Sequence, residues 1–313
     1  MHRTSTTEGS FSVTDLMLLG LVLVWGVNFS VIKRTLEEMS PLSFNALRFV
    51  LATLLILILL RVTGENLSVP RRDWSRLLLL GLVGHTAYQL FFIKGLARTT
   101  ASHSSLLLAT APIFIALLSA LLRIERVRGL AWLGILLCFG GIALIVQGSG
   151  NGVGLVGQTL GGDLLTLAAT ICWAIYTVLS KPMLERYSPL KLMTLTMTMG
   201  TSVLLLLSLP ELANQEWGLV SRQGWLGLIY SFSLAIALGY TIWYTGVRRI
   251  GTARTAVYSN LVPVVGVATA WLTLGERLVP FQIAGAGVVL AGICLTRSGK
   301  RAIGRGSGKG KNR

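Results

Sequence analysis

The sequence predicts an all-α polytopic membrane protein in which ten transmembrane helices form two inverted five-helix repeats. Three observations lead there: ten apolar runs of bilayer-spanning length, connections too short to fold by themselves, and a second half that echoes the first. Composition sets the class, since 53% of the 313 residues are AVILMFWYC and only 13% are charged, with a mean hydropathy of +0.69. That is too little polar surface to cover a globule of this size, so the solvent is lipid. Disordered, collagen-like and disulfide-framework chains are excluded by the same composition.

A helix needs roughly 20 apolar residues to cross the hydrocarbon core. The first such run, 13–33, opens around Asp15 and ends at Lys33. The second, 42–60, follows Pro41, where a proline in the first turn costs no hydrogen bond. Runs 74–94, 102–123 and 129–147 complete the first half. The second half holds runs 163–181, 189–209, 224–244, 255–274 and 281–297, with Pro189, Pro210 and Pro280 at or near helix ends. Alternating ten-residue strands are missing, so a helical bundle is the way to satisfy backbone polar groups in lipid. Segment 1–12 is polar, and the run after it is longer than a signal-peptide core and has no small-residue cleavage site, so both are read as retained.

A net charge of +16 would suggest nucleic acid in a soluble protein, but here the charges sit between apolar runs. On the side away from the N-terminus only Lys33, Arg34, Lys94, Arg98, Arg222 and Arg277 flank the runs, and Arg48 lies inside one. The remaining Lys and Arg flank the N-terminal side, so the positive-inside rule places both termini in the cytoplasm and the chain in the plasma (inner) membrane. The basic tail, 298–313, is read as disordered and resting on anionic lipid. Cys138, Cys172 and Cys294 fall inside apolar runs without CxxC spacing and read as small packing residues.

Overlaid on itself with an offset of 148, the chain aligns Asp15 with Asp163, Trp25 with Trp173, Lys33 with Lys181 and Ser40-Pro41 with Ser188-Pro189. An offset of 151 then aligns Trp74 with Trp225, Arg98 with Arg249, Pro112 with Pro263, Glu125-Arg126 with Glu276-Arg277, Gly134 with Gly285 and Gly141 with Gly292. Two units follow, 13–147 and 163–297, joined by a linker at 148–162. Five helices is an odd number, so the second unit sits upside down relative to the first, the architecture by which a carrier exchanges outward-facing and inward-facing states.

With TAPIFIALLSALLRIER at 110–126, LVPVVGVATAWLTLGER at 261–277, LVWGVNF at 23–29 and CWAIYTV at 172–178, the chain resembles the drug/metabolite transporter superfamily, specifically its EamA-type permeases. The resemblance spans residues 13 to 297. It implies a carrier that exports amino acids, other metabolites or toxic compounds, with a central cavity between helices 1, 3 and 4 of one half and 6, 8 and 9 of the other.

Polar and aromatic side chains in mid-membrane must face protein or water, so they map the interior. Trp25, Asn28 and Phe29 share one face of the first helix, with Trp173, Tyr176 and Thr177 as their repeat mates. Helix packing accounts for the tryptophans as well as cavity lining does. The third helix adds His85, Tyr88, Gln89 and Phe92, and the eighth adds Tyr240, Trp243 and Tyr244. His103, Tyr258 and Asn260 extend the set along the fourth and ninth helices, where Pro112 and Pro263 are expected to kink the chain. This aromatic wealth suits a small-molecule substrate with a flat or apolar body. Arg48 could bind a carboxylate, but snorkelling to the outer interface is the reading preferred from sequence.

All acidic residues are expected in tails, loops or at helix ends, which leaves His85 and His103 as the groups able to carry a proton, against the blander role of structural hydrogen bonding. HExxH, GxSxG, GxxxxGK[ST] and His/Cys ligand spacings are missing, so neither an enzyme, a metal nor a cofactor is expected. Small-residue stripes, Gly134 with Cys138 and Gly141 and Gly287 with Ala291, suit intramolecular packing, with a homodimer face as the alternative. Rival readings are an importer of a similar solute and, from another class, a membrane receptor or lipid enzyme.

Overall fold

The computed structural model describes residues 12–122, 129–148, 158–250, 255 and 258–301, and among these it holds helices and turns with no strand. Most of segment 1–12, linker residues 149–157, Glu125-Arg126 of the repeat signature, residues 251–254, positions 256 and 257 of the expected ninth crossing, and tail residues 302–313 lie outside the described residues.

The first helix, α1 (Val13–Thr35), starts where Ser12 and Asp15 cap each other's backbone N–H groups, which satisfies donors the helix cannot. Helix α2 (Pro41–Val62) begins on its proline. Next come α3 (Arg71–Gly81), a π-helical stretch Leu82–Ala87 and α4 (Tyr88–Arg98), which run on as one span. The fourth apolar run is broken into α5 (Ala101–Leu108) and α6 (Ala111–Leu121), with Pro112 in the first turn after the break. Helix α7 (Gly129–Gly148) closes the first half.

The second half repeats the order with α8 (Gln158–Leu184) and α9 (Pro189–Asn214). A span of α10 (Arg222–Ile229), a π-helical stretch Tyr230–Leu238 and α11 (Gly239–Ile250) follows. Then come α12 (Val262–Leu274), with Pro263 in its first turn, and α13 (Pro280–Arg301). Among the described residues seven spans are long and apolar enough to cross a membrane, and shorter apolar helices occupy Trp132–Ile145, Val262–Leu274 and Pro280–Gly292. The chain is a polytopic helical membrane protein.

The main seams join helices before residue 148 to helices after it: α7 with α13, α4 with α8, α1 with α12 and α2 with α9. In lipid such seams are held by close packing, which small residues permit. A close one is α7 on α13, where a Cβ on Gly285 would lie 2.7 Å from the Gly141 carbonyl oxygen and one on Gly141 would lie 2.8 Å from that of Gly285. The Gly134, Cys138 and Gly141 stripe is thus covered within the chain, whereas Gly287 meets nothing within 4 Å and Ala291 is exposed. Cys138 is buried, and Cys294 is exposed on α13.

Two contacts join residues that the repeat overlay had paired. The Thr53 and Thr201 hydroxyls, 148 residues apart, lie 3.2 Å from each other. Cys138 Sγ donates to the Val289 carbonyl at 3.3 Å across 151 residues. Contacts at the bundle ends are reciprocal too. Glu211, near the end of α9, accepts from the Leu42 N–H at 2.9 Å at the start of α2; Glu65, just past α2, accepts from the Ser188 hydroxyl that caps α9.

Asp73 lies in the first turn of α3, at a helix end as expected, and is buried there; it accepts from Arg186 at 2.6 and 2.7 Å and from the Tyr187 hydroxyl at 2.5 Å. Its carboxylate holds both the Tyr187 phenol and the Arg186 guanidinium above their ordinary pKa values. Asp73→Ala removes the common acceptor of the two side chains that tie the α8–α9 turn to α3. It is expected to cost about 1–3 kcal/mol, read as a lower thermal midpoint of the purified protein; an unchanged midpoint would refute the tie.

Candidate functional site

Trp25 leans from α1 onto the second half. Its indole N–H donates to the Ala235 carbonyl at 2.8 Å, an acceptor inside a π-helical stretch, and its ring sits 6.2 Å from Tyr240 and 5.5 Å from Trp243. Gly239 makes room, because a Cβ there would lie 2.7 Å from the indole nitrogen. Tyr230 returns the contact by donating to the Val24 carbonyl at 2.9 Å.

Across the same level, Tyr88 stacks on Phe92 at 5.9 Å and lies 5.4 Å from Trp173. Trp173 lies 5.5 Å from Tyr176, which abuts His85 at 5.4 Å. Two aromatic groups, together called the seam, therefore join the halves: Trp25 of α1 against Tyr240 and Trp243 of the 230–250 span, and Tyr88 of α4 against Trp173 of α8 with its neighbour Tyr176. Phe29 is buried against Phe92 at 6.1 Å and belongs to the packed core behind this seam.

His85 Nε2 lies 3.2 Å from the Thr196 hydroxyl, while its Nδ1 and the Asn28 Oδ1 are buried without a partner among the described residues. Buried polar atoms left this way are uncommon and mark places where a ligand or water completes the set. His85 sits in one π-helical stretch and Ser231 in the other. Such stretches recur at functional sites because they displace side chains from the regular α-helical phase.

Arg48 corrects the sequence expectation most strongly. It does not snorkel: the side chain is 2% exposed, with Nε on Asn45 Oδ1 at 2.8 Å, Nη1 on the Ser231 hydroxyl at 3.2 Å and Nη2 on Gln89 Oε1 at 2.9 Å. Phe44, Phe49 and Phe92 present their rings 5.2, 5.3 and 5.6 Å from the guanidinium carbon. Gln89, expected as a cavity wall, thus faces Arg48. Asn45 and Ser231 were missed; the signal available was Arg48 itself, the lone cation well inside an apolar run.

Other expected wall residues lie elsewhere. His103 pairs with Asp163 at 3.3 Å and contacts Gln282, while Thr99 donates to the same carboxylate at 2.5 Å, near the junction of α4 with α5. Asp163 is 0% exposed, because α8 begins at Gln158, five residues earlier than expected, and carries it inward; the expected restriction of acidic residues to tails, loops and helix ends fails here. The Tyr258 hydroxyl donates to Asp15 at 2.5 Å at the start of α1, away from the aromatic seam. Asn260 is half-buried in the turn before α12, the Tyr244 side chain lies outside the described residues, and Pro112 and Pro263 follow the breaks in their runs.

Chemically, the seam can stack a flat or apolar body and donate hydrogen bonds to it. Among the described residues no three His, Cys, Asp or Glu side chains are grouped to hold a metal ion. A cleft of about 360 Å³ opens elsewhere, beside Glu38, Ser40, Glu211 and Gln215.

Comparison with known proteins adds independent findings. Residues 12–147 and 160–298 each match the EamA-like transporter family. The uncharacterized transporter YyaM of Bacillus subtilis is 31% identical over 286 residues, covering 91% of this chain and 93% of that protein. A probable amino-acid metabolite efflux pump of Salmonella typhimurium is 31% identical over 295 residues, covering 91% and 95%. One crystal structure superposes with a TM-score of 0.65 at 19% identity, covering 94% of this chain and 99% of that one, a likeness of fold.

Proposed function

Because the chain belongs to the EamA-like transporter family, whose members are permeases and not enzymes, we propose that it is a secondary exporter of a small metabolite such as an amino acid, or of a drug-like solute. The observation that carries this reading is the aromatic seam built jointly by both halves, from Trp25, Tyr88, Trp173, Tyr176, Tyr240 and Trp243. A solute bound between two halves can be handed from one face to the other when they rock. The efflux-pump description of the Salmonella relative supports export.

Ten crossings in two inverted repeats, with both termini cytoplasmic in the plasma membrane, complete the proposal. Support comes from the family match to each half, from the breaks beside Pro112 and Pro263 and from the self-paired contacts Thr53–Thr201 and Cys138–Val289.

The test is flux by purified protein in liposomes, with labelled amino acids, other metabolites and aromatic cations, each with and without a pH gradient. Saturable, protein-dependent movement of one of them is expected; binding without movement would favour a receptor. Within that assay Asn28→Ala, which deletes the unpartnered Oδ1, is expected to weaken apparent affinity about fivefold, in keeping with one hydrogen bond. Unchanged flux at equal protein content removes Asn28 from the site.

A further inference from the structure

We infer that Arg48 is the receptor for a carboxylate on the transported solute, so that the substrate class is small amphipathic carboxylic acids, amino acids among them. The inference deepens the carrier reading and rests on it for its biological meaning, though not for its binding test. Its basis is a charge without a counter-ion. Arg48 is buried, its three hydrogen bonds all end on neutral oxygens of Asn45, Gln89 and Ser231, and among the described residues no carboxylate lies within ion-pair distance of it.

A buried charge left with neutral partners is expensive, and the common remedy is an anion. A guanidinium carries five N–H groups, of which three are used here; one on each terminal nitrogen has no acceptor among the described residues. Those two are the groups a carboxylate bridges in a two-pronged contact. The rings of Phe44, Phe49 and Phe92 hold the cation in the meantime, and Tyr88 stacked on Phe92 continues an apolar surface away from it.

Its setting fits a solute path. Asn45 and Gln89 come from the first half, whereas Ser231 comes from the π-helical stretch of the second. Separation of the halves would uncover the guanidinium and release the Ser231 contact, freeing a further donor at the moment of access. The repeat mate of Arg48 is Thr196, which instead meets His85 and Tyr176, so the guanidinium has no cationic counterpart at the matching position and a solute held by it has a preferred orientation.

The experiment measures binding of labelled L-phenylalanine, L-leucine and benzoate to the detergent-purified full chain, beside L-phenylalaninamide, which keeps the body and loses the carboxylate. Arg48→Gln is expected to weaken the acids at least about 30-fold and the amide by no more than about threefold. Arg48→Lys should fall between, since it keeps the charge without the planar fork. Gln89→Glu covers the chance that Arg48 variants fail to fold: it places a carboxylate beside Nη2, and should abolish acid binding with a thermal midpoint no lower than wild type.

The assignment is overturned by wild type binding none of the acids, by Arg48→Gln or Gln89→Glu binding them normally, or by acid and amide weakening together. Displacement of the acids by chloride at equal concentration also overturns it, in favour of a halide site. Flux in liposomes is scored separately. Arg48-dependent binding without flux sinks the carrier and keeps the carboxylate receptor, and flux indifferent to Arg48 does the reverse.

Discussion

Gly285→Leu is expected to destroy the folded protein, whereas Gly287→Leu, two residues away on the same helix, is expected to leave it unchanged. At Gly285 the new side chain would meet the Gly141 carbonyl and the Ile145 backbone, 2.7 and 3.0 Å from the Cβ position. Backbone cannot rotate aside as a side chain can, so α13 would have to lift off α7 and give up the packing of Ile135, Ile142, Ile145 and Val289 along that seam. Overpacked cores lose about 1–3 kcal/mol, and this position belongs at or above the upper end. Gly287 has open space around it. Monodisperse yield and thermal midpoint of the two variants provide the check; equal behaviour would mean that α7 and α13 do not pack as described.

Trp25→Ala is the change expected to damage transport most while sparing the fold. The indole supplies one hydrogen bond, to Ala235, and two ring contacts, with Tyr240 and Trp243. At about 1 kcal/mol for the hydrogen bond and about 0.5–1.5 for each ring pair, truncation removes about 2–4 kcal/mol from an arrangement in which α1 is held against the 230–250 span. Any state that lacks these contacts is favoured by that amount, so the balance between states shifts by at least tenfold. Flux is expected to fall at least tenfold at normal protein content. Trp25→Phe keeps ring contacts without the N–H and should lose about fivefold. Wild-type flux in Trp25→Ala would show that the seam lies off the solute path.

The spans were legible because lipid demands long apolar runs, and Pro41, Pro189 and Pro280 punctuate them where a missing N–H is harmless. The likeness of the two halves, each of which matches the same family, was legible in rare residues, the Trp25/Trp173 and Pro112/Pro263 pairs. Depth could be read, but rotation about each helix axis could not. His85, Tyr88, Gln89 and Phe92 looked like one stripe, yet they face Thr196, Trp173, Arg48 and Phe29 in turn, because the π-helical stretch beginning at Leu82 changes the helical phase. Arg48 was misread because its neutral partners are scattered from Asn45 to Ser231, and a burial that depends on three separated elements leaves no local trace. Asp163 was misplaced through a helix start set too late, and Tyr258 through the break before α12.

The Thr53–Thr201 contact, made by two identical side chains, carries a thermodynamic consequence. In a carrier whose halves trade conformations, a residue touching its own counterpart touches it in both end states, because the trade maps the pair onto itself. Such a contact contributes equally to both, and an equal contribution moves no equilibrium. A substitution at Thr53 should therefore change how much folded protein exists without changing which side of the membrane it faces. Contacts between unlike positions, such as Trp25 with Ala235 or Asp163 with His103, have no such protection, and in such a carrier they are where an energy difference between the two orientations would be stored.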